Sequence, residues 1–504
     1  MKALLLVSLC SLSLCSVAQD DLHSLAQLKK EKRATTLLQL VQVKTSLLNP
    51  QLAVVSALNP GADKDAANAD QEASKQTLHG LPIMVKDNIA IKGMATTAGS
   101  LALVENVATE DAFIVAKLRA AGMILAGKTN LSEWANFRST KSSSGWSSAR
   151  GQTRNPYNPK MSPCGSSSGS GAAVAARMIP AAIGTETDGS IVCPAAVNGV
   201  VGFKPTLGLV SRTGIVPLSH SQDTAGPMTL TVRDAALLMN VISGSDTQDP
   251  ATREADVRRA ADYTAGLQPD ALKGKRLGIV APLVLGYDVA TRTLFRRSVA
   301  LLKAQGAIII ENLPFPNMDK MGDDEYQVLL ADFKSDLNHY LSTTPASVKT
   351  RSLDQVIAFN KTQAKQVMPH FGQEIMLLAQ ATKGLDDPDY LAASQRAKQR
   401  AGAEGIDALM RTHQLDALIA PTTGVAWPIN YKKGDIVSGS ASSPAAIAGY
   451  PHLTVPMGLV RGLPVGLSFF AGAWSDAQLL NMGYAFEQAR PALPTPKLPT
   501  KISH

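Results

Sequence analysis

Two hydroxyl-rich turns flank one apolar stretch of this chain. Residues 162–171 read Ser-Pro-Cys-Gly-Ser-Ser-Ser-Gly-Ser-Gly, and Ala172 to Ile183 is apolar. Gly184-Thr185-Glu186-Thr187-Asp188-Gly189-Ser190-Ile191 follows. A Gly/Ser run is ordinarily a flexible linker, and less often a phosphate cradle. The linker reading fails because the run opens directly into an Ala/Val-rich segment of helical character. A P-loop is absent, since no Gly-Lys-Ser/Thr follows a GxxxxG. Two small-residue turns around one apolar segment can bring two hydroxyls together beside exposed backbone N–H groups. Such a nest suits an anion, including the oxyanion of an acyl-transfer intermediate.

A hydroxyl nucleophile needs a base. His220 is the nearest downstream histidine, but no acidic partner and no GxSxG elbow accompanies it. The alternative is a lysine kept neutral by burial. Lys86 is the candidate, because it follows the apolar run Leu81-Pro82-Ile83-Met84-Val85 and precedes Asp87-Asn88. Read alone, a lysine ending a buried strand extends its head to solvent. The serine turns reverse that weighting.

These motifs resemble those of the amidase signature family. His79-Gly80-Leu81-Pro82-Ile83-Met84-Val85-Lys86-Asp87-Asn88 looks like its lysine motif, and residues 164–205 look like its serine signature, through Gly199-Val200-Val201-Gly202-Phe203-Lys204-Pro205. Gly127 to Trp134 and Gln222 to Met228 match it as well, so the resemblance runs from about residue 21 to 490. Within the family, Cys164 to Ser170, Gly184 to Pro194, Asn136 to Arg138, Ser144 to Trp146 and Pro421 to Pro428 resemble the versions in bacterial peptide amidases. Those enzymes share the Asp at 188 and the Val at 192, where the broader family usually has Gly and often Arg.

The resemblance implies a Ser–cis-Ser–Lys triad. Ser190 would be the nucleophile. Ser166, 24 residues earlier, would be the bridging serine on a cis peptide bond. Lys86 would act as base through Ser166 and then help protonate the leaving ammonia. The N–H groups of Thr187, Asp188, Gly189 and Ser190 would form the oxyanion hole. Ser167, Ser168, Ser170, Thr185 and Glu186 are expected to satisfy the backbone of the turns. Phe137, Trp146 and Trp427 are candidate pocket residues, although aromatics in such a fold more often belong to the core. Neither metal nor organic cofactor is implied, and no obligatory protein partner is expected.

The implied reaction is hydrolysis of a carboxamide, first of all the C-terminal amide of peptides, to acid and ammonia. An amidase for small aliphatic or aryl amides is the alternative. A glutaminase-type subunit of a tRNA-dependent amidotransferase and an inactive binding protein on the same fold are weaker ones. Activity should favour alkaline pH, because the working form of Lys86 is neutral.

The elements that must position these groups alternate between strand and helix. Leu81–Val85, Met123–Ala126, Arg276–Val280, Ala307–Ile310 and Asp416–Ala420 read as strands. Asp111–Ala121, Asp288–Gln305 and Ile406–His413 read as helices, the first two stopped by Gly122 and Gly306. Asp21 to Leu48 reads as an amphipathic helical arm. The pattern predicts an α/β fold, with helices on both faces of a sheet. The resemblance makes that a large mixed sheet in one amidase domain over 19–504, with its signature core at about 79–230. Residues 318–400 are helical and charged, a plausible cap or insertion.

Composition narrows the remaining classes. The 504 residues are 45% hydrophobic and 18% charged, which excludes a mainly disordered chain. The net charge of +8 is dispersed, so no nucleic-acid footprint forms. Met1-Lys2, the apolar Ala3–Cys15 and the small Ser16-Val17-Ala18 read as a signal peptide over 1–18, cut before Gln19. Export to the periplasm or medium is therefore expected, and no other window has the length of a membrane span. Cleavage leaves Cys164 and Cys193, whose pairing the sequence leaves open. The histidines lack metal-ligand spacing.

Overall fold

The computed structural model describes residues 21–28 and 32–498, so the signal-peptide reading over 1–18 lies outside the described residues. The strands are β1 (Val55–Leu58), β2 (Pro82–Lys86), β3 (Ile124–Thr129), the short hairpin β4 (Trp146–Ser147) and β5 (Gly151–Gln152), β6 (Ala181–Glu186), β7 (Val201–Lys204), β8 (Thr224–Thr229), β9 (Arg276–Val280), β10 (Ile308–Leu313), β11 (Ala417–Pro421), β12 (His452–Val460) and β13 (Leu463–Phe470). Eleven of them form one sheet in the order β1-β3-β2-β6-β8-β7-β12-β13-β11-β9-β10. The sheet is mixed: β3-β2-β6 and β11-β9-β10 run parallel, and the other neighbours run antiparallel.

Helices cover both faces, which explains the strand sequences. Ile83 and Val85 point into one apolar core and Met84 into a second; Ala181 and Ile183 likewise oppose Ala182. A strand buried on both sides reads as an uninterrupted apolar run, as β2 does. The helices sit where the periodicity put them, with ends trimmed: Phe113–Ala120, Val289–Ala304 capped by the Asp288 carboxylate, and Asp407–His413.

Two stretches are more divided than their composition suggests. The serine run opens into a helical segment, as expected, but that segment ends well before Ile183. A helix over Ser168–Ala175 stops, Arg177 takes φ +57°, and after Pro180 the chain re-enters as β6. Composition hid the break because both halves are small and apolar. The arm from Asp21 to Leu48 is two helices, Leu22–Ala26 and Arg33–Leu52. The first is anchored where Asp234 accepts the Leu22 and His23 N–H groups, each at 3.0 Å.

Residues 318–401 are largely helical, led by the 26-residue helix Met318–Thr343. Its Phe333, Leu337 and Leu341 pack with Trp134 and Phe137 in a third core, beside Val216 and Leu218. This places the helix over the loop that precedes β8. Among the described residues, no helix is long and apolar enough to cross a membrane.

Candidate active site

Lys86 ends β2, an interior strand between β3 and β6, and its side chain is fully buried. Its Nζ lies 2.7 Å from Ser166 Oγ, 2.7 Å from Thr185 Oγ1 and 3.1 Å from the Thr185 carbonyl oxygen. Burial lowers its pKa to about 7, and Asp223 and Glu186 only partly oppose the shift. Near neutral pH the amine is therefore substantially uncharged. A neutral amine has two N–H donors and one lone pair. The two Thr185 acceptors take the donors, and the lone pair faces the Ser166 hydroxyl. Thr185 thus does more than satisfy its own turn, the only role its sequence position suggests. It orients the amine, and Asn88 Nδ2 holds Thr185 Oγ1 in turn at 3.0 Å. The register of β2 on β6, with Val85 opposite Ile183, is what brings Thr185 to Lys86.

Ser166 is fully buried and follows a cis Gly165–Ser166 peptide bond. Its carbonyl accepts the Ser132 N–H at 3.1 Å. Only glycine fits at 165, since a Cβ there would lie 2.1 Å from Ser132 Oγ. The neighbouring serines are spent on structure. Ser168 Oγ donates to the Cys164 carbonyl (2.6 Å), and Ser167 and Ser170 donate to carbonyls of Thr185 and Ile183 on β6. Cys164 is disulfide-bonded to Cys193, which resolves what the sequence left open.

Ser190 lies in the turn between β6 and the helix Val192–Asn198, with 8% of its surface exposed. Its carbonyl accepts the Ser167 N–H at 3.1 Å, joining the two serine turns. The N–H groups of Thr187, Asp188, Gly189 and Ser190 donate to no protein acceptor among the described residues. Thr187 Oγ1 donates to Asp223 (2.6 Å), and Glu186 accepts the Ile191 and Val192 N–H groups at 2.7 and 3.0 Å. Gly189 takes φ +77° under Ser442, a conformation that a side chain would disfavour. The turn is thus a fixed array of free donors, suited to developing negative charge.

Asp188 connects this turn to its cover. Its carboxylate accepts from Ser443 Oγ at 2.6 Å and faces Glu325 of the long helix. Burial and Asp188 push the Glu325 carboxyl well above the usual carboxylate range. A protonated Glu325 can donate to Asp188 while accepting from Gln222 Nε2 at 2.8 Å. Sequence reasoning missed Glu325, because its partners lie 103 and 137 positions away and no local pattern marks it.

The three aromatic candidates are all buried against protein. Phe137 meets Phe333 edge-on at 5.3 Å, Trp146 meets Phe371 edge-on at 5.1 Å, and Trp427 Nε1 donates to Asp435 at 2.8 Å. Trp146 and Phe371 also hold the guanidinium of the fully buried Arg138, 5.1 and 4.4 Å from their ring centres. Arg138 pairs with Glu133 at 3.2 Å. Arg138→Met should destabilise the protein by about 3–5 kcal/mol, because it strands a buried acid. Denaturant unfolding of this variant and of Glu133→Gln/Arg138→Met checks it: the double variant should recover part of the loss.

His220 has acidic partners that the sequence did not reveal. Its Nδ1 lies 3.0 Å from Asp336 and 3.7 Å from Asp332, both on the long helix. No serine hydroxyl hydrogen-bonds its ring among the described residues. It sits instead on the wall of a cavity of about 420 Å³ that reaches Asn88, Thr185, Thr187 and Asp223. Among the described residues, no three His, Cys, Asp or Glu side chains gather as a metal site.

A profile of the amidase family matches residues 36–480, and the chain belongs to that family. It is an amide-hydrolysing enzyme. It is similar to a peptide amidase solved with the competitive inhibitor chymostatin, at 49% identity and TM-score 0.92 over 95% of this chain and 99% of that one. The native peptide amidase of Stenotrophomonas maltophilia is 48% identical, with TM-score 0.90 over 95% and 98% of the two chains. A probable amidase of Arabidopsis thaliana is 39% identical over 94% of this chain and 90% of its own. A glutamyl-tRNA(Gln) amidotransferase subunit of Symbiobacterium thermophilum is 37% identical over 85% and 88%.

Proposed function

We propose that the enzyme hydrolyses the C-terminal carboxamide of peptides through Ser190, Ser166 and Lys86. The observation that carries this reading is the buried, near-neutral Lys86 amine, 2.7 Å from Ser166 Oγ and beside the Ser190 turn. Ser190 Oγ attacks the amide carbon as its proton passes to Ser166 and the Ser166 proton passes to Lys86. The carbonyl oxygen, now anionic, is held by the N–H groups of residues 187–190. Lys86 returns a proton through Ser166 to the amide nitrogen, the C–N bond breaks, and ammonia leaves an ester on Ser190. Water, activated by the same relay, then releases the acid. Phe137 backs Val216 and Leu218, which line the cavity beside Thr185 and Thr187, whereas Trp146 and Trp427 pack against Arg138 and Asp435.

Similarity to peptide amidases along nearly the whole chain supports a peptide amide as substrate. Similarity to amidotransferase subunits favours glutamine as the second candidate. Export by the segment 1–18 belongs to the same reading, and the disulfide supports it, since such bonds persist in oxidising compartments. The test is ammonia release from an N-blocked dipeptide amide, with mass spectrometry of the acid product, beside acetamide, benzamide and glutamine. Turnover is expected on the dipeptide amide; turnover confined to the small amides or to glutamine would overturn the peptide-amide assignment.

A further inference from the structure

The two cysteines of the described chain bracket the two serines of the relay. Cys164 stands two residues before Ser166, and Cys193 three residues after Ser190. Their Cα atoms are 6.0 Å apart across the disulfide. Around it, the segment bearing Ser166 is tied to the Ser190 turn and its helix by hydrogen bonds. Ser167 N donates to the Ser190 carbonyl (3.1 Å), and Asn198 Nδ2 donates to the Pro163 carbonyl (2.9 Å). Cys164 itself takes φ +54°, a conformation that non-glycine residues seldom hold unaided. The disulfide pins the chain there, one residue before the glycine that must lie against Ser132.

We infer that the Cys164–Cys193 disulfide is a positioning element for amide hydrolysis, setting the Ser166 segment against the Ser190 turn. The inference rests on the relay proposed above. A relay of two proton transfers needs both oxygens placed within tenths of an ångström. A 1 Å misplacement remote from the reacting atoms can cost about 100-fold in rate. Cutting the disulfide leaves the hydrogen-bonded ties, so the segments stay together but their spacing relaxes. Substrate binding is not predicted to suffer equally, because the oxyanion turn is held separately by Glu186 and Asp223. Cys193 is only half-buried, so a small reductant can reach the bond.

The test is reduction of the intact enzyme with tris(2-carboxyethyl)phosphine, below its unfolding temperature. The phosphine gives two electrons to the disulfide and becomes the phosphine oxide with oxygen from water, whose protons complete the two thiols. Two new thiols by titration mark complete reduction. The expected result is a fall in kcat of about tenfold or more, with KM changed less than about twofold. Acylation of Ser190 by a serine-directed fluorophosphonate should slow by a similar factor, and reoxidation should restore both. Cys164→Ser/Cys193→Ser should show the same low kcat and ignore the reductant. Unchanged kcat in fully reduced, folded enzyme would overturn the proposal, as would a loss that merely tracks unfolding. Neither result touches the relay, whose own failure would show as full activity in Ser190→Ala.

Discussion

Ser190→Ala should lower kcat/KM on a peptide amide by about 10⁶-fold, to the level supported by binding and the oxyanion turn alone. At about 1.36 kcal/mol per decade this is roughly 8 kcal/mol of transition-state stabilisation. The size of the effect follows from the route. Without Oγ no acyl-enzyme forms, and water must attack an unactivated amide directly. The variant should fold normally, because Ser190 is tied to its surroundings by its carbonyl and not by a structural side-chain contact. The check is single-turnover ammonia release, with loss of labelling by a serine-directed acylating probe. A variant that keeps more than a few per cent of activity would move the nucleophile elsewhere.

Lys86→Met should cost about 10²–10⁴-fold, the usual value of positioned general acid–base catalysis. Its second signature is the pH profile. In the parent, kcat/KM should rise with pH through about 7, where the Lys86 amine loses its proton, and then level off. In the variant that limb should vanish. A parent profile flat from acid to alkaline pH would remove Lys86 as the base. The same shift predicts a stability effect of known sign. The lysine is neutral above about pH 7 when folded but charged to about 10.5 when unfolded. Between these values the unfolded chain binds the extra proton, so parent stability should rise with pH across that window. Lys86→Met, which buries no charge, should be the more stable protein at neutral pH and should lose this contribution to the slope. Thermal unfolding of the pair between pH 6 and 10 reads it.

Much of the site was legible because it is local. The two serine turns are short strings in which hydroxyls and glycines stand side by side, although the neighbours that require two of those glycines, Ser132 against Gly165 and Ser442 above Gly189, come from elsewhere in the chain. Lys86 was legible as the polar end of a fully apolar strand. The alternating α/β pattern was legible because parallel strands buried on both faces advertise themselves as apolar runs. What escaped depends on pairing across the sheet or across the cap. Thr185 looked like any turn residue until the β2–β6 register set it against Lys86. Asp336 as the partner of His220, and Glu325 as the partner of Asp188, lie more than a hundred residues away in sequence. The break between the helix ending at Ala175 and β6 escaped for a different reason: small apolar residues serve either element equally well.

The strand order has a consequence for how the chain reaches this fold. The first six strands of the row come from residues 55–229 and the last five from residues 276–470, and the two blocks touch at one seam. There β7 meets β12, with Gly202, Phe203 and Lys204 opposite Thr454, Leu453 and His452. During synthesis the first block can pair internally, and it already contains Lys86, Ser166 and Ser190. Until β12 arrives some 250 residues later, however, β7 is an open edge with an unpaired backbone beside the apolar Val201 and Phe203. Open apolar edges recruit other chains. Closure of this seam is a long-range contact of the kind that slows folding. It is the step at which self-association competes with assembly, and the point that a chaperone holding the first half would have to shield.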